Sequence, residues 1–143
     1  DLDLAVSQSK DNAVYYIQYA HARVNRMVDV KAPEKGIPFD RSKAADYDAT
    51  LLTLDAETEI LAKLAAYPEI VLRAANSYEP HQVGNYLKEL AALFHGWYNL
   101  DNTRIIDEQN IALSQARLLL SINVQQVLRN GLELLGVSAP ETM

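Results

Sequence analysis

The sequence predicts an all-α domain, a bundle of about five helices. Three observations carry this. Leu and Ala are plentiful while the chain holds only 5 Gly and 5 Pro, a composition that favours helix. Apolar residues recur at steps of three and four along several stretches, the period of one helix face. Nowhere do apolar and polar residues alternate as they would along a half-buried strand. At 143 residues, 49% of them hydrophobic, the chain can enclose one core and is read as a single domain over 1–143.

The first helix is expected over 11–30, with Ser9 or Asp11 as N-cap, since a short polar side chain can accept from the free N–H groups of a first turn. Val14, Ile17, His21, Val24 and Val28 form its apolar stripe. Residues 31–52 hold Pro33, Gly36 and Pro38 among mixed charges and read as a long, solvent-exposed connection. A second helix starts near Asp55, a good N-cap, and carries Ile60, Leu61 and Leu64. Pro68 interrupts it, and a short third helix follows over 68–77 with Ile70, Val71 and Leu72. Glu79-Pro80 opens a fourth, because proline suits the first helical position. Its core face is Val83, Leu87, Leu90, Phe94 and Trp97. After a polar break over 99–108, the last helix spans 110–135. Leu113, Leu120, Val124, Val127, Leu128, Gly131 and Leu135 form its buried face, Gly136 its stop, and Pro140 follows just beyond.

There is no Cys, which excludes disulfides and thiolate-ligated metals. No apolar run approaches the length of a membrane-spanning helix. The start, Asp1-Leu2-Asp3-Leu4, has neither an initiator Met nor a basic leader, so the chain reads as a piece of a longer, cytoplasmic protein. The net charge of −6 argues against a nucleic-acid partner when taken alone. Its distribution weakens that argument: 14–28 and 110–132 each hold two Arg and no acid, and acids gather between Asp40 and Glu69.

On a helical wheel, Tyr16, Tyr19, Arg23 and Arg26 form a second stripe roughly opposite Val14, Ile17 and Val24. Two readings stand. Aromatic rings with arginines suit unpaired bases and phosphates; equally, Tyr rings and Arg stems pack well against neighbouring helices. His81, Lys88 and His95 recur every seven residues on one side of the fourth helix, either a phosphate-facing row or an exposed polar face. They are too far apart to chelate one metal ion, so no metal site is expected. His21, on the apolar stripe, is expected as a hydrogen-bonded core histidine. Gly131, on a buried helical face, is expected at a close helix contact. No phosphate loop, zinc-protease motif or Cys nucleophile is present, so no catalytic residue is assigned.

The run Asp11-Asn12-Ala13-Val14-Tyr15-Tyr16-Ile17-Gln18-Tyr19-Ala20-His21-Ala22-Arg23 resembles the start of the C-terminal, tRNA-binding domain of arginyl-tRNA synthetases. Further matching blocks are Glu79-Pro80-His81-Gln82-Val83-Gly84-Asn85-Tyr86 continuing to His95, then Ala116-Arg117-Leu118, and Gln126-Val127-Leu128-Arg129-Asn130-Gly131-Leu132 continuing to Val137. The closing Pro140-Glu141-Thr142-Met143 is similar to that family's terminal Pro-Glu-x-Met. The blocks come in order and span nearly the whole chain. The resemblance implies a helical anticodon-binding domain of a class I ligase that joins arginine to tRNA(Arg) with ATP. The implied partners are tRNA(Arg) and the ligase's own catalytic domain, with neither DNA nor a membrane. ATP belongs to that catalytic domain, so the domain alone is expected to carry no cofactor and to be inactive. The implied RNA contacts are Tyr16, Tyr19, Arg23 and Met143, with Phe94, His95, Tyr98 and Arg104 by position; Tyr15 is left to the core. The chain departs from the family in the segment 99–104, which lacks the Cys often found there and adds Asp101, and no Asp-Ala-Leu-Arg run occurs.

Two rival functions follow from the residues alone. One is a free-standing helical protein-interaction domain, which the negative charge and missing catalytic motifs would fit. The other is a small metal-dependent hydrolase built on the three His.

Overall fold

The computed structural model of the protein describes residues 2–100 and 104–143, with side chains from 13 onward. Asp101, Asn102 and Thr103, and the side chains of the expected caps Ser9 and Asp11, lie outside the described residues. Helix is the only regular secondary structure among the described residues, and no strand occurs among them. Five helices have eleven residues or more: α1 (Leu2–Arg26), α3 (Asp55–Ala65), α4 (Tyr67–Ser77), α5 (His81–Tyr98) and α6 (Ile111–Leu134). A sixth, α2 (Ala32–Glu34), is a single turn.

α1 begins at Leu2, earlier than the expected 11, because nothing in residues 2–10 breaks a helix: there is no Gly and no Pro. It does not stop at Arg26. The chain winds on as a π-helix, Met27–Lys31, where Ala32 N–H donates to Met27 O five residues back. Such a turn carries one extra residue and so re-aims the side chains that follow. Gly36, at φ +70°, then ends the helical run.

The expected connection is exposed along most of its length but is not loose. Ala32, Ile37 and Leu52 are buried beneath it, and Phe39 stacks on Tyr47. Two 3-10 turns, Arg41–Asp46 and Ala49–Leu51, are capped by Asp40 and Asp48. Asp55 itself starts α3, with Leu54 as N-cap and the Glu57 carboxylate accepting from Leu54 N–H at 3.1 Å.

α5 is the central element. Its expected face of Val83, Leu87, Leu90, Phe94 and Trp97 is wholly buried. α1 and α6 pack against it and against each other, while α3 and α4 lean on its other side. On α6, Leu118 and Leu132 join the expected core residues; Leu113, Val127 and Leu135 are half-buried. A Cβ on Gly131 would stand 2.5 Å from Leu87 Cδ2, the close approach that its place on a buried face implied. Gly136, at φ +71°, closes α6 as expected.

One ionic network ties three helices to the segment after α5. Glu57 is fully buried. Its Oε2 accepts from Arg117 Nε at 2.8 Å and from Trp97 Nε1 at 3.1 Å. Arg117 Nη1 also donates to Arg104 O at 3.0 Å, which pins the chain leading into α6.

Candidate functional site

The last turns of α5 cross the C-terminal half of α1, and this crossing builds the site. Arg23 sits at its centre. Its Nη1 donates to His95 Nδ1 at 2.9 Å and its Nη2 to the Tyr19 hydroxyl at 3.3 Å. The guanidinium carbon lies 3.9 Å from the centre of the Tyr98 ring and 4.9 Å from that of Tyr19. A cation over an aromatic face is attracted by the ring quadrupole, so both rings hold Arg23 in place. Lys31, re-aimed by the π turn, donates to the Tyr98 hydroxyl at 2.6 Å.

Because an arginine can only donate, His95 Nδ1 must accept, which puts the ring proton on Nε2. There it faces Tyr16 O at 3.4 Å. Burial first of all, and the Arg23 charge as well, push His95 below the ordinary imidazole value; the bond to Tyr16 O opposes them. A neutral, single-tautomer His95 therefore acts as an acceptor aimed at Arg23. Its ring is covered by Tyr16, at 4.6 Å between centroids, and by Tyr19 at 5.5 Å.

Beside this cluster opens a cleft of about 500 Å³ lined by Tyr19, Arg23, Arg26, Lys31, Tyr98 and Met143, among others. The carboxylate residues Asp29 and Glu141 also line it, so its charge is mixed. Met143 is brought there by a strap, residues 138–143, that runs back along α1. Gln18 donates to Ser138 O at 2.9 Å, and His21 Nδ1 to Pro140 O at 3.0 Å. His21 is fully buried, as expected of a bonded core histidine, and burial lowers its pKa.

Tyr19, Arg23, Tyr98 and Met143 are thus gathered from α1, α5 and the strap around one opening. Tyr16 is half-buried behind them. Arg104 is exposed and lines a second hollow, of about 400 Å³, which shares Lys31 and Tyr98 with the cleft. Three expectations are corrected. Phe94 is 0% exposed, held edge-on to Trp97, and cannot touch a ligand from the core. His95 does not share an exposed row with His81 and Lys88: those two are exposed, but α1 covers the end of α5 and leaves His95 6% exposed. Tyr15, left to the core by the sequence, is 56% exposed and stacks on Tyr19. Lys31 was missed because it lay in an apparent loop; only its place past a helix-length run of α1 could have hinted at it.

Among the described residues, no grouping of His, Cys, Asp or Glu could hold a metal ion. No described helix is long and apolar enough to cross a membrane. The model of the DALR anticodon binding domain matches residues 17–143. The chain belongs to that family. This DALR domain is 74% identical over 143 residues to the arginine–tRNA ligase of Acinetobacter baumannii (strain AYE), covering 100% of this chain and 23% of that protein. It is 70% identical to the arginine–tRNA ligase of Acinetobacter baylyi over the same shares. It is 53% identical to that of a Psychrobacter species, covering 24% of it. Among solved structures it is similar to an arginyl tRNA synthetase from Campylobacter jejuni, with a TM-score of 0.75 and 26% identity over 92% of this chain and 27% of that one. The chain therefore spans about a quarter of the length of these relatives. The resemblance read from the motifs is borne out, and the free-standing interaction domain is not favoured.

Proposed function

We propose that this DALR domain holds the anticodon stem and loop of tRNA(Arg) for a cytoplasmic arginine–tRNA ligase, of which it is one part. The arrangement that supports the reading is Arg23 fixed between Tyr19 and Tyr98 at the mouth of the cleft. An unpaired base can stack on an aromatic face there while arginine pairs with a phosphate or a base edge. Splayed single-stranded bases are a feature of an RNA loop rather than of duplex DNA. Tyr19, Arg23, Tyr98 and Met143 are the contacts, with Tyr16 behind them and Arg104 on the flank; Phe94 and His95 act only as support. The names of the relatives support arginine as the amino acid. In this reading ATP and arginine are bound by the ligase's catalytic domain, this domain takes no cofactor, and on its own it charges no tRNA.

The test is titration of the full-length ligase with a tRNA(Arg) transcript and with the same transcript carrying a replaced anticodon loop. The replaced loop is expected to bind at least about tenfold more weakly, the scale of one lost base stack. Equal affinity contradicts the reading.

A further inference from the structure

Gln18, His21 and Asn25 follow one another at steps of three and four and so form a row along α1. Each side chain donates to a main-chain carbonyl of the strap: Gln18 to Ser138 at 2.9 Å, His21 to Pro140 at 3.0 Å and Asn25 to Glu141 at 3.4 Å. All three bonds end on backbone oxygens, so what is held is the path of the strap rather than any side chain on it. His21 Nδ1 must be the donor, because a carbonyl only accepts. His21 is fully buried, and its Nε2 has no hydrogen-bond partner among the described residues. An unmet buried nitrogen is costly, so the ring is committed to this one bond at the expense of the other nitrogen.

The row is itself fixed from behind. Asn25 Oδ1 accepts from Gln125 Nε2 at 2.7 Å and from Arg41 Nη2 at 2.9 Å. Gln125 Nε2 also donates to His21 O at 3.1 Å, so α6 holds the backbone of α1 at the middle rung. Two residues past the last rung, Met143 lines the cleft together with Tyr19 and Arg23.

We propose that Gln18, His21 and Asn25 are positioning residues that register the strap on α1, and that by placing Met143 in the cleft they set its affinity for RNA. The second clause rests on the RNA-binding reading of the cleft. The test uses the full-length chain with His21→Leu, which removes the donor, and His21→Asn, whose amide can donate from near the position of Nδ1. The NMR backbone order parameter at Thr142 reads the strap, and titration with tRNA reads the cleft. His21→Leu is expected to lower that order parameter from the rigid range, about 0.85, toward the flexible range, below about 0.6, and to weaken tRNA binding by about tenfold, the effect of one lost buried hydrogen bond. His21→Asn is expected to recover both. Met143→Ala is expected to weaken binding in the wild type and to add nothing in His21→Leu, because the side chain is already misplaced there.

An unchanged order parameter at Thr142 in His21→Leu overturns the proposal. So does a Met143→Ala effect that is as large in His21→Leu as in the wild type. If His21→Leu does not fold, Gln18→Ala, which alters a half-buried side chain, carries the same two measurements at the Ser138 rung. If Tyr19→Ala and Met143→Ala both leave tRNA binding intact, the RNA reading of the cleft fails, and the order parameter at Thr142 alone decides whether the row registers the strap.

Discussion

The Arg23 guanidinium lies 3.9 Å from the centre of the Tyr98 ring, joining the last turn of α1 to the last turn of α5. With one nitrogen on His95 and another on the Tyr19 hydroxyl, its plane is set before any ligand arrives. Preorganisation of this kind reduces the ordering cost of binding.

Arg23→Lys keeps the charge and loses the planar fork, so it separates the two contributions. Binding of tRNA by the full-length ligase is expected to weaken by about tenfold, the scale of a desolvated cation–π contact. The melting temperature should move little, because Arg23 is only half-buried. A lysine variant that binds as tightly as wild type would show that charge alone matters there.

The acceptor role of His95 makes the site sensitive to acid. Its folded pKa lies below the ordinary 6.5, through burial first and then the Arg23 charge. A histidine depressed on folding contributes stability that is complete above its unfolded value and is lost as pH falls through its folded value. Stability should therefore decline below about pH 6.5, and protonated His95 can no longer accept from Arg23. His21, lowered chiefly by burial, adds in the same direction. Imidazole NMR titration checks this: a His95 midpoint above 6.5 would contradict a neutral His95 accepting from Arg23.

Glu57→Gln tests the buried network. It keeps the shape of the side chain but leaves Arg117 charged and uncompensated at 8% exposure. Breaking such a pair costs about 3–5 kcal/mol. Urea unfolding should show a loss of that order; a loss near zero would mean that solvent reaches Arg117.

Gly131→Ala sets two effects against each other. Alanine gains about 1 kcal/mol of helix propensity. Its methyl group, however, would stand 2.5 Å from Leu87 Cδ2 and 2.9 Å from Cγ, in a core that cannot yield freely. Overpacking costs about 1–3 kcal/mol, so net destabilisation is expected. A raised melting temperature would show that Leu87 swings aside without loss.

Where local chemistry decides, the sequence was legible. The spacing of Val83, Leu87, Leu90, Phe94 and Trp97 marks the inner face of α5, and Pro80 and Gly136 mark helix ends, because each effect acts within a few residues. The stripe of Tyr19 and Arg23 could be seen, and the family motif gave it a role. What could not be read depends on which helix crosses which. His81, Lys88 and His95 share one side of α5, yet only His95 lies beneath α1. Phe94 was counted twice, as core and as contact, and the crossing leaves it only the core. The burial of Glu57 and the path of residues 138–143 rest on partners more than forty residues away, at Arg117 and along α1.

Whether the Tyr19 face of α1 meets RNA is decided by Tyr19→Ala in the full-length ligase, with tRNA affinity and melting temperature measured on the same preparation. Tyr19 is 37% exposed, so the account expects a nearly unchanged melting temperature and tRNA binding weakened by about tenfold or more, the scale of one stacked base. A sharp fall in melting temperature, with the remaining folded enzyme binding tRNA as the wild type does, would make Tyr19 a packing residue and contradict the account.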